Sequence, residues 1–326
     1  MTNKRWVTRF CAVLFFFCAF PWPSEARAQT FSLGIWPPLL EAMIQPGKAI
    51  TQVYKISNFG DDIILTPKVI PFLPSGEKGE LSFPGLNIES QTSSPWFSLQ
   101  NADLRLDRPL LVKSGEIREL VLKIKIPGEA RENDYYHTFL LTTGGEELLR
   151  KELSQNASQS RGYLGANILI TVSRDGQPVK KGEIEEFAVK AHKFSILDSF
   201  EPIKFNLKAK NSGKTLWKPF GKITINDSFG HKAETELLPQ NVLANSSRQL
   251  TIEPFPLNTK FSILNTLFNR FRARVEFTLD EKGPSLWAST VFYVLPIKIT
   301  IAFLLIILLL VAIKAGLKDK KSAPSP

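Results

Sequence analysis

Few residues in this chain have side chains suited to acid–base, nucleophilic or metal chemistry, and those few are scattered. The three histidines, His137, His192 and His231, lie far apart, and none has a second ligand at the spacing of a metal-binding motif. Both cysteines, Cys11 and Cys18, fall in an apolar N-terminal segment. The rest of the chain therefore offers no thiolate for catalysis, metal binding or redox chemistry. We predict no metal site and no cofactor.

Paired acidic residues raise the question of glycoside cleavage, which needs two carboxyl groups flanking a sugar bond. The pairs are Asp61–Asp62, Glu146–Glu147 and Glu185–Glu186. Neighbouring residues on a strand point to opposite faces of a sheet, so these pairs are more typical of solvated turns. The sequence also contains no Gly-x-Ser-x-Gly elbow and no glycine-rich phosphate loop. We predict no catalytic residues, and an envelope enzyme is the least favoured alternative.

Tryptophans are the candidates for binding a cell-wall glycan, because an exposed indole stacks on sugar rings. Trp36 and Trp217 are the residues considered, Trp217 being followed by Lys218 and Pro219 beside a turn. The alternative for both is core packing, which is favoured for Trp96 in its strand-like context. Burial of both Trp36 and Trp217 would remove the glycan hypothesis.

A long connection separates two strands of alternating polarity, Tyr135–Thr142 and Tyr163–Val172. The intervening Gly144–Gly162 is far longer than a hairpin requires, and long loops in compact domains are often functional. We expect the flanking strands to pair as neighbours. The loop is either an insertion without consequence or a partner-binding element. Its apolar residues that would give a short helix one adhesive face are Leu148, Leu149 and Leu153.

Alternating residues and turn signals predict an all-β fold between the two ends of the chain. In Glu116–Ile126 the even-numbered leucines and isoleucines face inward and the charged residues face outward. The same alternation places His137 opposite Tyr136 and Leu140, where a surface or strand-edge position is expected. We predict two tandem immunoglobulin-like β-sandwiches, at residues 29–173 and 187–295, joined by a polar linker at 174–186.

Each end of the chain carries an apolar segment with flanking charges. Phe10–Phe20 follows several basic residues and ends near Ala26-Arg27-Ala28, a pattern that signal peptidase cleaves. We therefore predict a signal peptide at residues 1–28, with Ala26 and Ala28 marking the cleavage site.

At the other end, Ile299–Ile313 is apolar without interruption. A bilayer requires about 20 residues of helix, so the span extends toward Tyr293 if Lys298 reaches back to the interface. We predict a transmembrane helix at 296–314, followed by a basic cytoplasmic tail at 315–326, with the N-terminal part outside the cell membrane. The predicted membrane-interface residues are Trp287, Tyr293, Lys298 and Lys314.

The formal charge of +10 follows from this topology, because many of the basic residues lie in the predicted signal and tail. The charge therefore gives no reason to expect nucleic-acid binding. The absence of cysteine after residue 28 favours a bacterial exported protein, since secreted animal domains usually carry disulfides.

Several short motifs resemble those of pilus-chaperone-type immunoglobulin domains. They are Ile35-Trp-Pro-Pro38, Pro46-Gly47 before a strand ending at Asn58, and Pro127-x-x-Ala130-x-x-x-Asp134-Tyr-Tyr136. The last is similar to the approach to strand F, where an aspartate and a tyrosine pin the corner. In pilus chaperones an arginine and a lysine in the interdomain cleft hold the C-terminal carboxylate of a subunit; the motifs assign no such pair here.

The overall layout is similar to that of bacterial surface proteins that interact with WxL-type cell-wall proteins. In those proteins a chaperone-like domain precedes a second sandwich, a membrane helix and a basic tail. The resemblance and the missing chemistry together predict a membrane-anchored binding, adhesion or surface-assembly protein without catalytic activity. Its partner would be an envelope protein, bound through a sheet edge or the long loop, or alternatively a cell-wall glycan. Membrane lipid would surround the C-terminal helix.

Overall fold

The computed structural model describes residues 32–85, 91–143, 162–190, 195–262, 266–280 and 285–321. Within these ranges the chain forms two β-sandwiches followed by an apolar C-terminal helix, which confirms the predicted fold class. The strands of the first sandwich are β1 (Leu33–Trp36), β2 (Leu39–Ile44), β3 (Ala49–Asn58), β4 (Ile63–Pro71), β5 (Leu73–Ser75), β6 (Glu80–Ser82), β7 (Phe97–Leu99), β8 (Leu110–Val112), β9 (Ile117–Lys125), β10 (Asn133–Thr143) and β11 (Tyr163–Val172).

The first sandwich packs a sheet of order β1-β3-β9-β7 against a sheet of order β2-β11-β10-β4-β8, with β5 and β6 as a side hairpin. β3 and β9 pair antiparallel, and their inward residues, among them Tyr54, Ile56 and Leu120, are fully buried. After β1 the chain crosses to the other sheet, where β2 pairs parallel with β11. β10 and β11 pair antiparallel along their length, as predicted for the strands flanking the long loop.

The second sandwich is built in the same way. One sheet has the order β12-β14-β17 and the other β13-β19-β18-β15-β16 among the described strands. Its elements are β12 (Gly182–Val189), β13 (Ile196–Asp198), β14 (Phe205–Asn211), β15 (Phe220–Asn226), β16 (Lys232–Glu236), β17 (Ser246–Leu250), the short helix α1 (Leu257–Lys260), β18 (Asn269–Thr278) and β19 (Ser285–Leu295).

The second sandwich begins earlier than the expected boundary at residue 187. β12 starts at Gly182, inside the range expected to link the domains, and pairs with β14. Gly182 has a packing role there, since a Cβ atom on it would lie 2.6 Å from Cζ2 of Trp217. Gly182, which lies within the predicted linker at 174–186, is therefore part of a strand.

The C-terminal helix α2 (Ile297–Lys321) begins two residues after β19 ends and extends beyond the predicted boundary at residue 314. Residues Ile297–Lys314 are apolar enough and long enough to cross a membrane, and no other part of the described chain covers them. The predicted signal peptide with Ala26 and Ala28, and the loop leucines Leu148, Leu149 and Leu153, lie outside the described residues.

Candidate functional site between the sandwiches

A buried carboxylate on β10 joins the two sandwiches. Asp134 accepts hydrogen bonds from the Tyr136 hydroxyl (2.6 Å), the Thr171 hydroxyl (2.8 Å) and the backbone N–H of Leu216 (2.5 Å), which belongs to the second sandwich. The Tyr136 oxygen in turn accepts the N–H of Ala244 at 2.8 Å. Burial raises the pKa of Asp134, and these hydrogen bonds oppose that rise by stabilising the charged form. The network fixes one sandwich against the other.

Apolar packing surrounds this network. Phe72 stacks on Tyr136 with ring centroids 5.6 Å apart, and both contribute to a small buried cluster with Leu169 and Ala244. The cluster therefore contains side chains from both domains. Because a polar group excluded from water forms stronger hydrogen bonds, the apolar cover and the Asp134 network stabilise the same contact.

A cleft of about 380 Å³ opens beside the interface, with both sandwiches contributing to its walls. Glu41 on β2 spans it: its carboxylate contacts Lys218 Nζ at 2.7 Å and accepts a hydrogen bond from Asn241 Nδ2 at 2.5 Å. The ion pair is partly exposed, so we expect it to align the cleft more than to stabilise the fold.

The second cation of the cleft is Arg248, on β17. Its Nη1 donates to the backbone oxygen of Asn241 at 2.5 Å, and the guanidinium lies against Gly79, where a Cβ atom would be 3.2 Å from Cζ. Within the described residues, Arg248 Nε and Asn241 Oδ1 are buried without a hydrogen-bond partner. Burial lowers the pKa of Arg248. The cleft thus holds a lysine and an arginine, each already engaged by groups of this chain.

The first sandwich has a partly open sheet edge on β11. β2 covers Asn167–Val172, while Tyr163–Ala166 pairs only with β10 among the described residues. The Asn167 N–H points outward to Pro38 O, so by alternation Tyr163 and Gly165 also direct their N–H and C=O groups outward. An open edge of this kind accepts an added strand.

The two tryptophans proposed to bind glycan lie in opposite environments. Trp36, at the end of β1, is 67% exposed. Trp217 is 1% exposed, packs against Phe277 and donates its indole N–H to Lys181 O at 3.2 Å. The binding role proposed for Trp217 is therefore wrong, because its ring fills the core of the second sandwich.

The expected surface position of His137 is also wrong. The side chain is 7% exposed and lies on a central strand, with its ring 4.7 Å from that of Phe97. Trp96 packs beside it against the first core, as predicted. Burial lowers the pKa of His137 to about 4, and its Nδ1 has no hydrogen-bond partner within the described residues. Those residues also contain no cluster of metal-binding side chains.

The predicted membrane-interface residues separate into two groups. Tyr293, Lys298 and Lys314 lie at the end of β19 or on α2, and all are exposed. Trp287 is exposed as well, but it lies under the Arg274 guanidinium at 4.8 Å. At about 3.3 Å per residue it is roughly 26 Å along the strand from the end of β19 at Leu295. Its place at the membrane interface stays a prediction, and it lies about 20 Å along the strand from Tyr293.

The sequence alone revealed only part of the role of the motif that ends at Tyr136. The corner hydrogen bond is made by Tyr135, whose hydroxyl donates to Arg131 O at 3.2 Å. Asp134 and Tyr136 of the same motif bind backbone N–H groups of the second sandwich. Glu41, Lys218 and Arg248 carried no sequence signal, because only the tandem packing brings them together.

No protein-family model matches the sequence, and a comparison with curated proteins finds no match. A comparison with solved structures finds distant neighbours at low identity. The E. coli chaperone DraB is 11% identical, with a TM-score of 0.34, and the alignment covers 81% of this chain and 97% of that one. A chain from the Salmonella enterica complex of SafA pilin with the SafB chaperone is 10% identical, with a TM-score of 0.34, covering 81% and 98%.

A chain from a chaperone–tip adhesin complex of CFA/I fimbriae biogenesis is 8% identical, with a TM-score of 0.37, covering 80% of this chain and 98% of that one. The names of these neighbours describe pilus chaperones or complexes that contain one. Scores at this level assign no partner and no activity to this chain.

Proposed function

We propose that this protein is a membrane-anchored, extracytoplasmic binding or surface-assembly protein that holds a segment of an envelope protein without catalysing a reaction. The observation that carries the proposal is the uncovered part of β11, where Tyr163 and Gly165 present unpaired backbone groups within the described residues. An extended segment added there would continue the sheet, and its side chains would supply specificity. The adjoining loop remains the predicted second contact.

The anchored placement is supported by α2 and by the predicted signal peptide. In this arrangement the sandwiches lie outside the cell membrane and the terminal lysines inside, as in the WxL-interacting surface proteins that the layout resembles. Mild protease treatment of intact cells tests the orientation. It should remove the sandwiches and leave the residues after Lys314 protected; protection of the sandwiches would overturn it.

A proline at Tyr163 tests the edge-binding mechanism. Tyr163 is the first residue of β11, and its N–H points away from β10, so Tyr163→Pro removes an outward donor without removing a ladder bond. Tyr163→Val is the matched control, because it also removes the ring but keeps the donor. Cross-linking in intact envelopes should lose its protein adduct in the proline variant alone. Equal recovery of the cross-linked adduct from both variants would contradict the addition of a partner strand to this edge.

A cell-wall glycan remains the alternative ligand, since Trp36 is exposed. Trp36→Ala should abolish retention on purified cell wall if the indole stacks on sugar, and should leave it unchanged if the ligand is a protein strand. The two hypotheses thus predict opposite outcomes for Trp36→Ala and Tyr163→Pro.

A further inference from the structure

Three loops at one end of the second sandwich each carry an exposed phenylalanine. Phe200 is 50% exposed, Phe229 is 69% exposed and Phe268 is 67% exposed. Each lies next to a different strand, and the directions of these strands place all three at the same end of the sheet. β13 runs parallel to β19 toward α2, while β18 starts, and β15 ends, at that same end of the sheet. We call Phe200, Phe229 and Phe268 the aromatic rim.

The rim is tied directly to the first turn of α2. One oxygen of Asp198 accepts the Phe200 N–H at 3.1 Å, and the other accepts the N–H of Lys298 at 2.9 Å. Ser199 N–H donates to Leu295 O at 3.0 Å, and Lys298 Nζ contacts Glu201 at 2.8 Å. The turn that carries Phe200 is therefore at the level where the apolar helix begins.

The other two phenylalanines are held in the same layer. The Ser199 hydroxyl donates to Leu267 O at 3.1 Å, which joins the Phe200 turn to the segment before β18. The Ser228 hydroxyl donates to Arg270 O at 3.0 Å, and Asp227 accepts the Phe229 N–H at 2.9 Å. Hydrogen-bonded turns thus direct these rings outward.

We propose that the aromatic rim rests in the headgroup region of the bilayer that α2 enters, so that the second sandwich is seated on the membrane surface. The inference rests on the anchoring in the proposed function. Membrane lipid is the occupant because the rim is continuous with the apolar helix and Tyr293 completes an aromatic layer typical of interfaces. The exposed Arg270, whose backbone oxygen accepts the Ser228 hydroxyl, is suited to lipid phosphates.

Depth measurements on the full mature chain test the rim. The chain has no cysteine after residue 28, so single nitroxide labels can be placed by Phe229→Cys, Phe268→Cys and Ile306→Cys. Phe220→Cys is the matched control, because Phe220 is equally an exposed phenylalanine, 50% accessible, at the opposite end of β15. The protein is reconstituted in vesicles of phosphatidylcholine and phosphatidylglycerol. Access to aqueous nickel chelate and to lipid-dissolved oxygen is then compared.

Labels at 229 and 268 should lose nickel access and gain oxygen access relative to the label at 220, with the label at 306 deepest. If 306 lies in lipid while 229 and 268 are as accessible to nickel as 220, the rim proposal is wrong and the anchoring stands. If 306 is also in water, the anchoring is wrong and the rim proposal falls with it.

Discussion

The interface between the sandwiches and the open edge of β11 belong to the same sheet but have opposite properties. At the interface, Asp134 and Tyr136 use nearly every polar atom on partners from this chain. At the edge, Tyr163 and Gly165 leave backbone groups unpaired among the described residues. Trp217 and Trp36 repeat the contrast, one buried and one exposed. The interface is therefore saturated by groups of this chain, whereas the edge provides the backbone groups on which the proposed function rests.

The two tryptophans give the largest expected difference between these regions. Trp217→Ala should lower the free energy of unfolding by about 4 to 5 kcal/mol, since it leaves a cavity and an unpaired Lys181 oxygen. Trp36→Ala should change it by less than about 0.5 kcal/mol. Urea unfolding of the full chain in detergent micelles, followed by circular dichroism, measures both. Comparable losses would mean that Trp36 is part of the packed structure.

Asp134 is expected to have the next largest effect. Asp134→Ala leaves two hydroxyls and one buried N–H without their acceptor, which should cost about 3 to 4 kcal/mol. Thr171→Val, the control, removes one of these hydrogen bonds and should cost about 1 kcal/mol. Because the lost contacts join the domains, Asp134→Ala should also raise the rate of proteolysis between residues 174 and 182. Unchanged cleavage there would show that the apolar cluster alone holds the domains together.

His137 adds a further contrast, because it follows Tyr136 on β10 but its Nδ1 has no hydrogen-bond partner in the part of the chain that the structure describes. Its pKa is lowered from 6.5 to about 4 by burial, so the unfolded chain takes up a proton at higher pH than the folded chain does. Stability is therefore complete above pH 6.5 and falls by about 3 kcal/mol as the pH drops toward 4.

The substitution His137→Phe should remove this part of the acid sensitivity, because phenylalanine fits the aromatic surroundings and does not titrate. The measurement is the difference in unfolding free energy between wild type and variant at pH 7 and at pH 4. Parallel pH profiles of the two proteins would show that His137 is not the group responsible.

The fold was largely predictable where one face of a strand is buried and the other solvated. β3 and β11 have the predicted bounds, because their alternation is clear. β4 was not predicted: most of its residues are buried on both faces, so its sequence does not alternate. The candidate site was harder to predict from the sequence, since Asp134 and Tyr136 bond to groups 82 and 108 residues away along the chain. No local pattern encodes such partners, and the same holds for the aromatic rim.

The smallest expected effect on stability, and the sharpest on recognition, concerns the loop between β10 and β11. The two strands are already closed by hydrogen bonds between Thr143 and Gly162, at 3.1 Å from N to O and 2.7 Å to the threonine hydroxyl. Deleting Glu147–Ser160 and joining the ends with a short glycine-containing turn should therefore change the unfolding free energy by less than about 0.5 kcal/mol.

If the loop captures the partner together with the open edge, the same deletion should abolish cross-linked adducts in intact envelopes. A variant that keeps the loop length but replaces Leu148, Leu149 and Leu153 with serine separates an apolar contact from mere length, and should lose the adduct as well. Full recovery of the adduct from the deletion variant would mean that the loop is an insertion without a role in binding. The edge at Tyr163 alone would then recognise the partner. Recovery with the serine variant alone would mean that the loop acts through its length or its backbone, and that its leucines do not contact the partner.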